Sequence, residues 1–287
     1  MRGVPGATWL PAGRGRRASG EQSSCLAHMS HELRPAMDPI FGFTQLLSET
    51  VTGPLERDWV QSIKKSGQVL LGLINDVLDL SKIEAGKLLL NPQPADLRDI
   101  ITETVELFSP LAAEKGIFLT SEIDEASVEP VLVDAQRLRQ VLMNLIQNAV
   151  KYTEQGGIVV RLSMSRGRNP DHRDARLLVS DSGVGIDPEQ RLRIFDPFHQ
   201  ADSPDGKVRQ GTGLGLSITR RLVDVMQGRI HLDSEVGKGS TFLVEIPDLP
   251  VAELHPVLAA AEEAPVDFNR LPPLTVLVVD DVEWNAE

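Results

Sequence analysis

The sequence contains very little cysteine and no long apolar run. Cys25 stands alone among 287 residues, so no disulfide bond can form within the chain, which fits a reducing cytosol. No stretch reaches the roughly 18 apolar residues that a membrane-spanning helix needs. The Gly-, Pro-, Ala- and Arg-rich residues 1–20 lack the apolar segment of a secretory signal, and we interpret them as a disordered leader rather than an organelle transit peptide. We therefore expect a cytoplasmic protein with no membrane segment in this chain.

Positive charge is also scarce. The chain has 29 Lys and Arg against 41 Asp and Glu, which gives a net charge of −12. Non-specific nucleic-acid binding requires a basic face, so we expect no nucleic acid among the partners. An acidic chain can still bind ATP, because backbone amides and a metal ion hold the nucleotide locally.

Two heptad patterns occupy residues 21–90. The segment from Glu49 to Glu56, "ETVTGPLE", predicts a turn between two long helices. A single helical hairpin leaves part of its apolar seam exposed, so we expect a homodimeric four-helix bundle. His31 falls on the outermost heptad position, where a lone histidine is usually a plain surface residue. The seam positions are Leu26, Met29, Leu33, Ala36, Ile40, Phe43 and Leu47 in the first helix, and Ile63, Ser66, Leu70, Leu73, Val77 and Leu80 in the second.

From residue 91 the pattern changes to mixed helices and strands. We predict helices over residues 94–116, 135–153 and about 216–226, and strands at "IFLTSEID", "PVLVD", "GIVVRLSMS", "ARLLVSDSG", "RIHLDSEVG" and "STFLVEIP". These elements do not alternate as regular βαβ units, so the pattern favours an α/β sandwich with helices on one face of a mixed sheet. The Pro-, Ala- and acid-rich residues 249–273 predict a linker, after which "LTVLVVDDVEWNAE" begins a new apolar strand.

The helix predicted over residues 135–153 carries a polar stripe. Asn144, Asn148 and Lys151 have the spacing i, i+4 and i+7, which places them on one face, opposite an apolar stripe. Such a stripe on its own is usually a solvated surface. Its interpretation depends on the motifs that follow it.

Two glycine-containing motifs come after this helix. "DSGVG", Asp181 to Gly185, ends a predicted strand, and the carboxylate of Asp181 can accept a hydrogen bond from an exocyclic amine such as that of adenine. Gly183 and Gly185 allow the backbone to turn sharply or to pass close to a flat ring. "GTGLGLS", Gly211 to Ser217, precedes a helix, so its backbone amides can face phosphate oxygens.

Together these motifs resemble those of hybrid sensor histidine kinases. "HMSHEL" is similar to the phosphoacceptor box, "NLIQNAVKYT" to the N box, "DSGVGI" to the G1 box, "IFDPFHQ" to the F box and "GTGLGLS" to the G2 box. The resemblance covers residues 21–248. It implies a dimerisation and phosphotransfer hairpin over residues 21–90, followed by an α/β sandwich ATP-binding domain of the Bergerat type over residues 91–248. Residues 274–287 resemble the truncated start of a receiver domain.

The activity implied by the resemblance is that of a protein histidine kinase in a two-component system. His31 would accept the phosphoryl group from ATP for transfer to a response-regulator receiver, and Glu32 would polarise the other ring nitrogen of His31. Asn148 would ligate Mg²⁺, and Asp181 would bind adenine. The residues implied to hold the nucleotide are Asn144, Asn148, Lys151, Asp181, Gly183, Gly185, Lys207, Gly211, Thr212, Gly213, Leu214 and Gly215.

The sequence departs from the family pattern just after His31. Pro35, Ala36 and Pro39 stand where the family usually has threonine, proline and alanine. A proline within a helix removes one hydrogen bond and crowds the carbonyl four residues back. The alternative to an active kinase is therefore a degenerate or truncated core that binds ATP and dimerises but transfers phosphate poorly, as a scaffold would. Another ATPase of the same superfamily is disfavoured by the phosphoacceptor hairpin.

Overall fold

The computed structural model describes residues 37–124, 129–199 and 212–252. All of them belong to one compact unit, which extends to Glu253. Four residues of the predicted site, His31, Glu32, Lys207 and Gly211, lie outside the described residues. The leader over residues 1–20 and the segment 274–287 lie outside them as well.

The described chain begins in a helical hairpin. Residues 37–50 form helix α1, and α2 spans Pro54–Glu84, with Pro54 in the first turn, where its missing N–H removes no hydrogen bond. Pro39 lies within α1, and the residues on both sides of it are helical. The helices are antiparallel, since Gly67 of α2 faces Phe41 of α1 while Lys64 Nζ donates to Gln45 Oε1 at 3.1 Å. The predicted hairpin is confirmed.

Several described residues of the predicted apolar seam are exposed in the single chain. Met37 and Val60 are buried, whereas the predicted seam residues Ile40, Phe43 and Ile63 are 43%, 67% and 48% exposed. An open apolar groove between the helices is lined in part by Ile40 and Ile63. Packing of the two helices against each other therefore leaves this described part of the seam as an exposed apolar face.

A five-stranded sheet forms the frame of the second part of the chain. Its strands are β2 Phe118–Ile123, β4 Gly157–Arg166, β5 His172–Asp181, β6 Arg229–Glu235 and β7 Gly239–Pro250, and the helices of this part are α3 Leu97–Glu114, α4 Ala135–Tyr152, the short α5 Pro188–Arg191 and α6 Gly215–Val225. The strand order is β2–β4–β5–β7–β6, with β2 and β4 parallel and the other neighbours antiparallel. Helices α3 and α4 pack against one face of this sheet, and so does α6, which is consistent with the alternation of buried and exposed residues along β4.

The structure differs from the sequence predictions at the beginning of α3 and in the segment predicted as a linker. The helix predicted from residue 94 begins only after Asp96, whose side chain caps α3 by accepting from the N–H of Arg98 at 2.8 Å. The residues before it form strand β1 (Gln93–Ala95), which pairs with β3 (Val131–Val133) in a separate two-stranded sheet. Strand β7 continues to Pro250, two residues into the segment 249–273 that was predicted as a linker, and residues 253–273 lie outside the described residues.

The end of α2 packs onto the sheet domain. Leu80 is 8% exposed and belongs to the same apolar core as α3, α4 and α6. Two ion pairs accompany it, from Asp79 to Arg137 of α4 and from Glu84 to Arg221 of α6. The second helix of the hairpin therefore contributes directly to the core of the domain that follows it.

Candidate nucleotide-binding site

Helix α4 forms one wall of the candidate site. Its N-cap residue Asp134 accepts from the N–H of Arg137 at 3.1 Å, and its apolar stripe is buried as predicted. The opposite stripe, Asn144, Asn148 and Lys151, is half-buried. Asn144 Nδ2 lies within hydrogen-bonding distance of two α6 atoms, the backbone oxygen of Gly215 at 3.2 Å and Thr219 Oγ1 at 3.3 Å. Asn144 therefore joins α4 to the beginning of α6.

Asp181 is the last residue of β5, at the centre of the sheet. Among the described residues, its Oδ1 accepts two backbone hydrogen bonds, from Gly183 N at 2.8 Å and Ser240 N at 3.2 Å. Burial raises the pKa of this carboxyl group above its ordinary value, while the two backbone N–H groups act in the opposite direction. The carboxylate is thus held in one orientation, and both of these bonds use the same oxygen.

The two glycines after Asp181 are required by close backbone contacts. A Cβ atom at Gly183 would lie 2.6 Å from the backbone oxygen of Tyr152, and one at Gly185 would lie 2.1 Å from the backbone oxygen of Glu235. Gly185 also has φ of +70°, a conformation that favours glycine. The loop therefore passes tightly between the end of α4 and the turn that joins β6 to β7.

Two buried serines, Ser234 and Ser240, stabilise this loop through hydrogen bonds and were not predicted from the sequence. Ser234 Oγ accepts from Ile186 N at 2.9 Å and donates to the backbone oxygen of Gly239 at 2.9 Å. It also lies 3.0 Å from Ser240 Oγ, next to the N–H that binds Asp181. Only the position of "SEVGKGS" at a turn between strands hinted at such a role. The pairing of β6 with β7 brings Ser234 and Ser240 together.

The described part of the second glycine motif leads into α6. Thr212 Oγ1 accepts from the N–H of Leu214 at 3.1 Å, and the backbone oxygen of Gly213 accepts from the N–H of Phe198 at 3.0 Å. The side chain of Leu214 is fully buried in the core, so only its backbone is available to a ligand. Gly215 lies against the side chain of Asn144.

The described residues contain no group of three or more His, Cys, Asp or Glu side chains that could hold a metal ion by themselves. Mg²⁺ keeps several waters and is commonly bound by one or two protein oxygens together with substrate phosphates. A half-buried asparagine, Asn148, on the wall of the site fits that kind of shared coordination, in which most ligands come from the nucleotide and from water.

The structure brings most of the described predicted residues into one region. The end of α4 contacts Gly183, Gly183 binds Asp181, and Asn144 of α4 meets Gly215 at the beginning of α6. Lys151 extends from the last turn of α4, and its Nζ lies 4.8 Å from the centre of the Tyr152 ring. The arrangement joins an oriented carboxylate, a tight glycine loop and a helix N-terminus, which is a set of groups suited to a nucleotide.

Comparison with known families agrees with this geometry. Residues 21–86 match the His Kinase A (phospho-acceptor) domain, and residues 133–250 match the histidine kinase-, DNA gyrase B- and HSP90-like ATPase domain. These two matches together cover more than half of the chain and define a kinase core with a phosphoacceptor hairpin and an ATPase domain of this type. The chain belongs to the sensor histidine kinase family.

Individual relatives are similar over most of this chain. The sensor protein GacS of Pseudomonas syringae is 40% identical over 229 residues, which is 80% of this chain and 25% of GacS. BarA of Escherichia coli K12 is 40% identical over 233 residues, which is 81% of this chain and 25% of BarA. The chain thus spans about a quarter of the length of these relatives.

A solved structure supports the fold. Full-length ShkA in complex with AMPPNP matches with a TM-score of 0.68 and 36% identity, over 80% of this chain and 47% of that chain. The predicted fold class, a helical hairpin followed by an α/β sandwich, is confirmed by this match and by the two domain matches. In residues 37–124, 129–199 and 212–252, no helix is both long and apolar enough to span a bilayer.

Proposed function

We propose that this chain transfers the γ-phosphoryl group of ATP to His31 and passes it on to an aspartate of a response-regulator receiver. The observation that carries the proposal is the fixed carboxylate of Asp181. Its Oδ1 is held by two backbone N–H groups, so the other oxygen, Oδ2, can accept a hydrogen bond from the exocyclic amine of adenine. A partly buried, oriented carboxylate that accepts from an amine favours adenine over a base that presents a carbonyl there.

We assign the remaining site residues the roles that the family resemblance implies. Gly183 and Gly185 shape the adenine pocket. The backbone around the beginning of α6 binds the phosphates, through Gly211, Thr212, Gly213, Leu214 and Gly215. Asn148 ligates Mg²⁺, supported by Asn144, and Lys151 and Lys207 meet the phosphates. When bound, Mg²⁺ supplies charge neutralisation for the phosphate oxygens.

Phosphoryl transfer in this proposal needs a neutral imidazole. One ring nitrogen of His31 attacks the γ-phosphorus, the bond to the bridging oxygen breaks, and ADP leaves. Glu32 binds the N–H on the other ring nitrogen, which stabilises the positive charge that develops on the ring. An unperturbed histidine is mostly neutral at pH 7, so the acceptor is competent without further adjustment.

A homodimer is the proposed active form. Ile40, Phe43, Ile63 and Leu70 are exposed in the single chain, although they occupy the predicted seam. A second hairpin packed on this face removes the apolar surface from water, at a gain of roughly 25 cal/mol per Å² buried. The seam thus supports a dimeric four-helix bundle. Because the reaction consumes ATP, we place it in the cytoplasm.

Incubation with γ-labelled ATP and Mg²⁺ tests the proposal. We expect acid-labile, base-stable label on the wild-type chain and none on His31→Gln, because phosphohistidine has that stability and His31 is the acceptor. Asp181→Asn should lose label together with ATP binding, whereas His31→Gln should keep ATP binding. ATP binding without label on the wild-type chain would contradict kinase activity and support the scaffold alternative. Label that survives in His31→Gln would show that another residue is the acceptor.

A further inference from the structure

Lys115 joins the end of α3 to the end of α4. It is the C-cap residue of α3, and its Nζ lies within hydrogen-bonding distance of three backbone oxygens at the end of α4. These are the oxygens of Val150 at 2.6 Å, Lys151 at 3.2 Å and Thr153 at 3.0 Å. An ammonium group has three N–H donors, so one side chain can satisfy all three oxygens.

Helix α4 needs such a partner because of the way it ends. The last four carbonyls of a helix have no partner inside the helix, and many helices solve this with a left-handed glycine. Here the C-cap residue is Thr153, which is extended (φ −95°, ψ 126°) and fully buried. The ammonium group of Lys115 supplies the missing donors, and its charge also complements the negative end of the helix dipole.

The remaining carbonyl at this end binds the adenine loop. The backbone oxygen of Tyr152 accepts from Val184 N at 3.4 Å. A Cβ atom at Gly183 would clash with the same oxygen. Asn148 and Lys151 lie on the last two turns of the same helix. A shift in the end of α4 therefore displaces the adenine loop, the Mg²⁺ ligand and a phosphate-binding lysine together.

We propose that Lys115 is a positioning residue for the ATP site. It does not touch the nucleotide. It acts by fixing the end of α4, and through it Asn148, Lys151 and the loop of Gly183. This inference rests on the proposed function, because the site that Lys115 positions is the proposed ATP site.

Substitution of Lys115 tests the inference through nucleotide affinity measured on the full chain. Lys115→Met keeps the length of the side chain but removes the charge and all three donors. We expect the dissociation constant for Mg²⁺-AMPPNP to rise roughly tenfold, by the loss of a charge–dipole contact and the misplacement of the site. Lys115→Arg keeps the charge and can reach some of the three oxygens, so it should recover most of the affinity.

Two control variants separate positioning from loss of stability or charge. Ile101→Val shortens a fully buried side chain on the same helix and destabilises the fold while keeping Lys115 and its three donors. Lys87→Met removes the charge of an exposed lysine. All affinities are measured well below the thermal midpoint of each variant. We expect both controls to bind AMPPNP as the wild type does, even if Ile101→Val and Lys115→Met lose similar thermal stability.

The outcomes distinguish this inference from the proposed function. Wild-type affinity in Lys115→Met, with binding lost in Asp181→Asn, would overturn the positioning role and leave the ATP site intact. Equal loss of affinity in Lys115→Met and Ile101→Val would also overturn it, since stability alone would then explain the effect. A wild-type chain that binds no AMPPNP would overturn the proposed function and this inference with it.

Discussion

Asp79 of α2 and Arg137 of α4 form an ion pair of 3.0 Å that joins the hairpin to the ATP-binding domain. The same carboxylate oxygen accepts from Gln140 Nε2 at 2.9 Å. Both partners of the ion pair are largely shielded from water, with side chains 16% and 19% exposed. We expect Asp79→Ala to lower the free energy of unfolding by about 2–3 kcal/mol, because it leaves the Arg137 charge partly buried without its partner. Urea unfolding measures the change.

A double-mutant cycle isolates the contribution of this pair. Arg137→Met combined with Asp79→Ala should be less destabilising than the sum of the two single changes, because the second change removes the charge left unpaired by the first. The exposed pair Glu122–Arg161 is the matched control, and it should show a smaller coupling energy since water competes for both of its charges. Equal coupling in the two pairs would contradict the view that shielding from water strengthens the Asp79–Arg137 contact.

Gly185 and Gly86 offer a matched test of the adenine loop. Both have positive φ, +70° and +64°, so an alanine at either position costs about 1–2 kcal/mol in backbone strain. Only at Gly185 does the added Cβ meet backbone, at 2.1 Å from the oxygen of Glu235. We expect Gly185→Ala to abolish detectable ATP binding and to destabilise the fold more than Gly86→Ala, which should keep wild-type affinity. Calorimetric titration with AMPPNP and thermal unfolding measure the two effects, and unchanged binding in Gly185→Ala would show that the loop is not part of the site.

Local patterns were sufficient to predict the main elements. The apolar spacing of Leu138, Leu142 and Leu145 predicted α4, and the structure buries all three. The strand at Gln93–Ala95 was missed because its partner, β3, lies nearly forty residues away in the sequence. A strand of three residues is also too short to show an alternating apolar pattern. Heptads such as those of Ile40 and Ile63 marked an apolar face. They predicted that a second hairpin covers this face, and the exposure of Ile40 and Ile63 in the single chain is consistent with that prediction.

The supporting residues of the site could not be predicted from the sequence. Lys115 stands next to Gly116 at the end of a helix, where a lysine side chain is ordinarily exposed to solvent. Its hydrogen-bond partners are 35 to 38 residues away in the sequence, and no short motif predicts the contact. Ser234 and Ser240 were likewise inconspicuous, because only the pairing of two strands brings their hydroxyl groups together beside Asp181.

Nucleotide affinity should depend on the ionisation of Asp181. Burial raises the pKa of this carboxyl group, and only the ionised form can accept from the adenine amine at full strength. Affinity should therefore fall as the pH drops through the raised pKa, and this fall should occur at a higher pH than for an exposed aspartate. Adenosine is the suitable ligand because it has no phosphate that titrates in this range. Asp181→Asn should bind adenosine more weakly, and its affinity should no longer depend on pH in this range. If the affinity of the variant fell with acid as that of the wild type does, the pH dependence would belong to a group other than Asp181.

Asp76 should make the fold less stable at neutral pH than at acidic pH. Burial, together with repulsion from Asp79, raises the pKa of Asp76 from 3.8 to about 6. As the pH rises from about 4 to about 6, the unfolded chain releases this proton while the folded chain retains it, so stability is lost over that window and is constant above it. Asp76→Asn removes the titration and should be more stable than the wild type near pH 7, by about 1 kcal/mol after allowance for partial exposure to solvent.

Urea unfolding at several pH values measures the difference in the free energy of unfolding between Asp76→Asn and the wild type. The difference from the wild type should vanish below about pH 4, where Asp76 is protonated in both the folded and the unfolded chain. In an Asp79→Asn background the difference near pH 7 should shrink, because the repulsive neighbour is gone and only burial still raises the pKa of Asp76. A difference that stays constant across the whole pH range would show that the asparagine stabilises α2 by other contacts and that the charge of Asp76 has no part in it.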